Sequence, residues 1–168
     1  MTFQEAFNYL VDDLEGASGK PSIYGDTFGI NPGNWNLYAK KKGIRQSVPT
    51  RVDAFGYYNA EWWLPFKCDQ LPNGIDFCLF EWIVNHGPVG IKDLQVCVGV
   101  APDGIMGPET IRAAHEANAM KVINCFLNRQ KAWYIDDSKR NPDAPLVGWE
   151  DRIDKIRKIV GLSAEEKK

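Results

Sequence analysis

The segment from Ile75 to His86 constrains the fold of this chain more than any other part of the sequence. Its apolar residues recur at helical spacing, and apolar neighbours widen that stripe. The stripe consists of Ile75, Cys78, Leu79, Trp82, Ile83 and His86. Other elements have to cover a helix that is apolar on most sides, so the segment predicts a central buried helix. A chain of 168 residues, 44% of them hydrophobic, can cover it with one core or two small lobes.

The N-terminal residues predict a helix that ends at a carboxylate. Thr2 and Glu5 match a capping box, and apolar residues then recur at helical spacing. The helix is expected to end near Glu15 and Gly16. From there to about residue 36, glycines, prolines and aromatic residues predict a loop with at most a small β-ribbon.

The rest of the chain also favours helices. Residues 35–67 predict one or two short helices that carry aromatic surface, and residues 103–110 are interpreted as a folded turn rather than a ligand loop. Further helices are predicted at Val89–Val98, Pro108–Asn118, Met120–Asp136 and Trp149–Val160, with Gly161 as a C-cap. The fold class is therefore mainly α, with a small irregular or β element after the first helix and a packed C-terminal helical lobe.

Charge narrows the range of partners. The formal net charge of -2 and the pI near 5.7 argue against nucleic acid as the main partner. The basic cluster Lys40, Lys41, Lys42 and Arg45 favours a solvated face but leaves a local anionic contact open. The sequence shows neither a basic and apolar leader nor an apolar run long enough to span a bilayer, so no membrane insertion is expected.

The cysteines and histidines predict neither a disulfide framework nor a metal site. Cys68, Cys78, Cys97 and Cys125 lack CxxC spacing and are interpreted as buried free thiols, which suits synthesis in a reducing cytoplasm. The histidines, His86 and His115, show no metal-ligand spacing. Neither a metal nor any other cofactor is expected.

Glu15 is the carboxylate whose position best suits acid catalysis. It lies at the predicted C-terminal end of a helix, where the negative pole favours a protonated carboxylic acid. Asp12 and Asp13 add like-charge repulsion in the same direction. A carboxylic acid that keeps its proton can protonate the leaving oxygen of a glycosidic bond. Position alone would favour an ordinary surface glutamate.

Asp26 and Thr27 are candidates for the second group that glycoside hydrolysis requires. They follow Glu15 across the loop, where the chain is expected to return towards the helix end. Thr27 could orient a water molecule while Asp26 removes its proton, or Asp26 could stabilise a turn. Both roles stay open at this point.

Several blocks, in their order along the chain, resemble glycoside hydrolase family 108, a family of lysozyme-like muramidases common among phage and prophage lysins. These blocks are Leu14–Ala17 with Asp26–Ile30, then Gln70–Gly74 and Val84–Gly87 within the stretch from Tyr58, and finally Leu94–Gln95 with Gly99–Val100 and Asp103–Thr110. A looser match is Phe126–Arg129 with Gly148–Arg152. The family's catalytic glutamate falls on Glu15. Either Asp26 or Thr27 aligns with the family's threonine, because the intervening loop is shorter here.

The resemblance implies a lysozyme-like fold and hydrolysis of the β-1,4 bond between N-acetylmuramic acid and N-acetylglucosamine in peptidoglycan. Trp62, Tyr58 and Asn85 are the candidates for substrate binding, through sugar stacking and amide hydrogen bonds. The resemblance further implies a catalytic region at residues 1–87 and a peptidoglycan-binding helical region at residues 88–161. Residues 162–168 are expected to form a charged tail.

Two other functions fit the same sequence. A lytic transglycosylase also uses one glutamate but forms an anhydro sugar without water. A non-catalytic virion component would bind peptidoglycan or other phage proteins without cleavage. The expected setting is either the host cytoplasm before holin-mediated release to the cell wall or transport in a phage virion.

Overall fold

The computed structural model describes residues 1–141 and 146–162, and it is mainly helical and lysozyme-like, as predicted. The chain divides into two compact units, residues 2–65 and the stretch from Phe66 onward together with Met1. This division concerns packing. The predicted functional boundary after residue 87 stays a prediction.

In the first unit, α1 (Phe3–Asn8) continues without interruption as a π-helical segment, Tyr9–Glu15. The helix ends where it was predicted to end, and Thr2 and Glu5 form the expected capping box. After the loop come α2 (Pro32–Lys42) and α3 (Arg51–Tyr58), the latter continued by a second π-helical segment, Asn59–Trp63. π-Helical segments are rare and often lie at functional sites. Here one of them ends at Glu15.

Aromatic rings form the core of the first unit. Phe7 packs edge-on against Phe55, at 5.1 Å between ring centroids, and Tyr57 packs in the same way against Tyr38, at 5.3 Å. The buried aromatic residues of this unit are Phe7, Phe28, Trp35, Tyr38, Tyr57, Tyr58 and Trp63. Residues 35–67 therefore place most of their rings inside the unit. The predicted aromatic surface is reduced to half-buried rings such as Trp62, because burying large rings is the main source of core stability in so small a unit.

The second unit is built around α4 (Ile75–His86), which has the predicted bounds and is buried from Ile75 to Ile83. A 3₁₀ turn, Cys68–Gln70, precedes it. The helices that follow are α5 (Gly90–Val98), α6 (Pro108–Glu116), α7 (Ala119–Arg140) and α8 (Leu146–Ile159). Gly161 has a φ of +80°, as suits the predicted C-cap. The expected tail beyond Leu162 lies outside the described residues.

A disulfide joins Cys97 on α5 to Cys125 on α7. The prediction of free thiols is therefore wrong for this pair. It is confirmed for Cys68 and Cys78, which are buried, and burial raises the pKa of both thiols well above the ordinary value. The spacing of 28 residues gave no signal, because the pairing depends on how two helices pack.

Gln95 organises the glycine-containing loop at residues 103–110. Its side-chain amide donates to the Asp103 carboxylate at 2.7 Å and to the Thr110 hydroxyl at 3.1 Å, and its oxygen accepts from the Gly104 N–H at 2.8 Å. The loop's polar groups are thus used within the protein. This supports the interpretation of the loop as a folded turn. Among the described helices, none is long and apolar enough to cross a bilayer.

Candidate active site

Glu15 is the last residue of the π-helical segment and is half-buried. The next residue, Gly16, has a φ of +99° and donates its N–H to the Val11 carbonyl at 2.8 Å, which closes the last wide turn. Because glycine adopts this left-handed conformation readily, the chain can leave the helix sharply at this point. The carboxylate is therefore held at the end of a rigid element.

A two-residue hairpin turn packs against Glu15. Thr27 and Ile30 exchange both backbone hydrogen bonds at 3.0 Å, and the central residues Phe28 and Gly29 have φ values of +53° and +77°. Positive φ at both central positions characterises a type I′ turn. This turn is the small β element that the sequence predicted. Phe28 adopts its conformation without being glycine, and such backbone strain tends to occur at functional sites.

Gly29 allows Glu15 to lie directly against the turn. A Cβ atom added at Gly29 would lie 2.8 Å from Cγ and 3.0 Å from Oε2 of Glu15, and 2.9 Å from the Tyr58 hydroxyl. Any larger residue would have to displace the carboxylate or the tyrosine. Sequence reasoning quoted Gly29 only within a block of family resemblance and assigned it no role, since a close approach between distant segments leaves no local pattern.

Tyr58 supports the turn and does not stack on sugar. Its side chain is only 1% exposed, and its hydroxyl donates to the Phe28 carbonyl at 2.8 Å. A ring this buried has no face to offer to a glycan, so the predicted stacking role is wrong. The hydrogen bond instead fixes the strained carbonyl next to Gly29. Tyr58 is a positioning residue for the turn.

Thr27 and Asp26 differ sharply in their surroundings. Thr27 is 1% exposed, and its hydroxyl has no hydrogen-bond partner among the described residues. Asp26 is half-buried, and its backbone is tied to Ser22 by the bond from the Ser22 N–H to the Asp26 carbonyl at 2.8 Å. A buried polar group without a partner costs free energy, which makes such a group a candidate for binding water or substrate.

Asp12 is paired with Arg51. The guanidinium makes two hydrogen bonds to the carboxylate, at 2.7 and 2.9 Å, and lies over the Phe7 ring. These hydrogen bonds raise the pKa of Arg51. Asp12 therefore carries a compensated charge, and the expected like-charge repulsion from it towards Glu15 is largely offset.

The remaining predicted substrate residues lie on separate elements. Trp62 is half-buried, donates its indole N–H to the Tyr57 hydroxyl at 3.2 Å and lines a pocket of the first unit. Asn85 is exposed near the end of α4, and its amide donates to the Glu81 carbonyl at 2.9 Å.

The histidine at the end of α4 is not part of a candidate metal site among the described residues. His86 stacks on Trp82 at 4.4 Å between ring centroids, and burial lowers the pKa of His86. In the described part of the chain, no group of three or more His, Cys, Asp or Glu residues could hold a metal ion.

Comparison with solved structures shows the fold. The structure of Brucella abortus SagA matches with a TM-score of 0.74 and 23% sequence identity, over 98% of this chain and 97% of that chain. No match was found among curated proteins. At this identity the structural likeness concerns the fold alone.

Comparison with protein families indicates the enzymatic activity of this protein. The model of glycosyl hydrolase 108 matches residues 16–87. The matched segment contains the hairpin turn with Thr27 and Gly29, as well as Tyr58, and it begins at the residue after Glu15. It does not extend over residues 88–161, so a peptidoglycan-binding role for that region stays a prediction. Through residues 16–87 the chain is similar to glycosyl hydrolase family 108, and this similarity supports a peptidoglycan-degrading glycoside hydrolase of the N-acetylmuramidase type.

Proposed function

We propose that Glu15 is the general acid of this muramidase and that Thr27 holds the attacking water. The observation that carries the proposal is the close packing of Glu15 on Gly29, which belongs to the same four-residue turn as Thr27. Within the part of the chain that the structure describes, the buried Thr27 hydroxyl has no hydrogen-bond partner. The turn thus supports a proton donor and a free hydroxyl together. These are the two functions that hydrolysis of a glycosidic bond requires.

In the proposed reaction, Glu15 transfers its proton to the glycosidic oxygen as the bond from that oxygen to the anomeric carbon of N-acetylmuramic acid breaks. A water molecule bound to the Thr27 hydroxyl forms the new bond to the same carbon. Its proton passes to the carboxylate of Asp26, the neighbouring half-buried residue. Because a water attacks directly in this scheme, the product has inverted configuration at the anomeric carbon.

Replacement of the acid by an amide tests the proposal. Glu15→Gln keeps the shape of the side chain but has no proton to give, so release of reducing ends from purified peptidoglycan is expected to fall at least about 1,000-fold. Asp13→Asn is the matched control, since Asp13 is an exposed carboxylate of the same helical segment. Retained activity in Glu15→Gln would remove Glu15 from the mechanism.

Product analysis separates hydrolysis from transglycosylation. Mass spectrometry of the wild-type products is expected to show reducing N-acetylmuramic acid ends that carry the added water. Anhydro ends, lighter by one water, would instead identify a lytic transglycosylase. Binding to cell walls without either product would favour a non-catalytic virion component.

We further propose that the enzyme serves phage lysis or infection and acts outside the reducing cytoplasm of the host. The Cys97–Cys125 disulfide supports a site of action outside the cytoplasm, because disulfides persist in oxidising compartments. The protein would wait in the host cytoplasm for release by a holin or travel in the virion, with virion proteins as partners in the second case. Detection of the chain in purified virions favours transport, and its absence there favours release at lysis.

A further inference from the structure

A pocket of about 260 Å³ opens in the first unit, between α2 and α3 with its π-helical continuation. Its lining includes Asn34, Tyr38 and Lys41 from α2, and Tyr57, Glu61 and Trp62 from the second side. Neither Glu15 nor any residue of the turn 27–30 lines it. Its volume is below the usual range of about 300–1,000 Å³ for pockets that hold drug-sized ligands, which fits a single sugar ring.

The walls of the pocket are aromatic and rigid. Tyr38 and Tyr57 meet edge to face at 5.3 Å, and the Trp62 indole is held by its hydrogen bond to the Tyr57 hydroxyl at 3.2 Å. Leu37, which is 72% exposed, adds apolar surface to the same lining. The half-buried Trp62 indole therefore offers a flat face of the kind that binds the C–H face of a pyranose ring or the methyl group of an acetamide.

Polar groups at the pocket still have hydrogen-bonding capacity. Within the described part of the chain, the side-chain amide of Asn34 and the hydroxyl of Tyr38 make no hydrogen bond to protein, although both residues line the pocket. The Tyr57 hydroxyl accepts from Trp62 and keeps its own proton to donate. An amide and two hydroxyls beside aromatic faces match the acetamide and hydroxyl groups of an N-acetylated sugar.

The charges in the pocket favour a neutral ligand. Lys41 Nζ lies 2.9 Å from Glu61 Oε1, so the lysine charge is compensated where it borders the pocket. An acidic peptide stem would have to break this pair and approach Glu61. A neutral ring can instead accept from the ammonium and donate to the carboxylate without separating them.

We propose that this pocket is a binding site for an N-acetylglucosamine ring of the glycan strand, apart from the residues that carry out the chemistry. The proposal rests on peptidoglycan as the substrate. It assigns to Trp62 the substrate contact expected from the sequence and adds Asn34 as the group that recognises the acetamide.

The test is a titration of the Glu15→Gln protein with tri-N-acetylchitotriose, followed by nuclear magnetic resonance. Saturable shifts are expected at the Trp62 indole N–H and the Asn34 side-chain amide. Asn34→Ala should weaken binding about five-fold, as expected for the loss of one hydrogen bond. Asn36→Ala, at an exposed position of α2 outside the lining, is the matched control and should bind as tightly as the parent.

Three results would overturn the proposal. The first is the absence of shifts at Trp62 with millimolar trisaccharide, and the second is equal affinity in Asn34→Ala and Asn36→Ala. The third is tighter binding of muramyl dipeptide at the same resonances, which would assign the pocket to the acidic stem. Because the shifts at Trp62 and Asn34 report binding of the trisaccharide itself, the titration decides the pocket even if Glu15→Gln proves active and the proposed chemistry fails.

Discussion

Two buried threonine hydroxyls in this protein have opposite surroundings. Thr110, in the first turn of α6 where the loop from residue 103 ends, receives a hydrogen bond from Gln95 at 3.1 Å. Thr27, in the turn at residues 27–30, is buried as deeply and has no hydrogen-bond partner in residues 1–141 or 146–162. Both lie within or directly after a glycine-containing turn, and sequence chemistry alone treats them alike. The difference indicates that the first turn is completed by the protein itself, whereas the second keeps capacity for water or substrate.

The largest expected effect that sharpens this comparison comes from paired glycine substitutions. Gly29→Ala places a methyl group 2.8 Å from Glu15 Cγ, so the carboxylate has to move, and a misplacement of this kind can reduce turnover about 100-fold. Gly104→Ala has a similar φ of +81° but meets only the flexible end of Lys92 at 3.2 Å. It should lower the free energy of unfolding by about 1 kcal/mol and leave turnover unchanged. Equal turnover in both variants would contradict the assigned difference.

Gln95→Leu tests whether the second loop is structural. It would strand the buried Thr110 hydroxyl and the half-buried Gly104 N–H, and because each stranded polar group shielded from water costs about 1–3 kcal/mol, a loss of about 3 kcal/mol is expected in the free energy of unfolding. Denaturant titration measures this loss. Turnover per folded molecule should stay within about two-fold of wild type, since Gln95 has no part in the proposed chemistry. A collapse of turnover with normal stability would give the loop a functional role.

The disulfide next to this loop should also act on stability alone. Replacing Cys97 and Cys125 together by alanine is expected to lower the free energy of unfolding by about 3 kcal/mol, because the bond closes a loop of 28 residues in the unfolded chain. Thermal unfolding with and without reductant gives the same comparison for the wild type. The Cys68→Ala protein serves as a control in which reductant should still lower the melting temperature. A reductant effect that persists in the double variant would show another cause.

Tyr58→Phe should have the smallest effect. It removes the hydrogen bond to the Phe28 carbonyl, worth about 1 kcal/mol, and keeps the buried ring. Turnover is expected to fall a few-fold, because the turn that positions Glu15 loosens. A loss as large as that of Gly29→Ala would mean that the hydroxyl itself takes part in the reaction.

The local parts of this account could be predicted from the sequence. The periodicity of apolar residues predicted α4 with its correct bounds. The capping box and Gly16 predicted the helix that ends at Glu15. Features that depend on contacts between distant segments could not be predicted. The Cys97–Cys125 pairing, the burial of Tyr58 and the approach of Gly29 to Glu15 all arise from how helices and turns pack, and none leaves a periodic pattern. For the same reason, the sequence left Asp26 and Thr27 equivalent, whereas the buried hydroxyl favours Thr27 as the group that holds water.

The most direct measurement compares Thr27→Val with Thr110→Val, in turnover of peptidoglycan and in the free energy of unfolding. Thr27→Val removes a hydroxyl that has no partner, so turnover should fall about 100-fold while stability is equal to or above that of wild type. Thr110→Val removes the hydroxyl that accepts a hydrogen bond from the Gln95 amide. The free energy of unfolding should therefore fall by about 1–3 kcal/mol, while turnover per folded molecule is unchanged. Retained turnover in Thr27→Val, or a loss of stability equal to that of Thr110→Val, would contradict the assignment of the turn at residues 27–30 to catalysis.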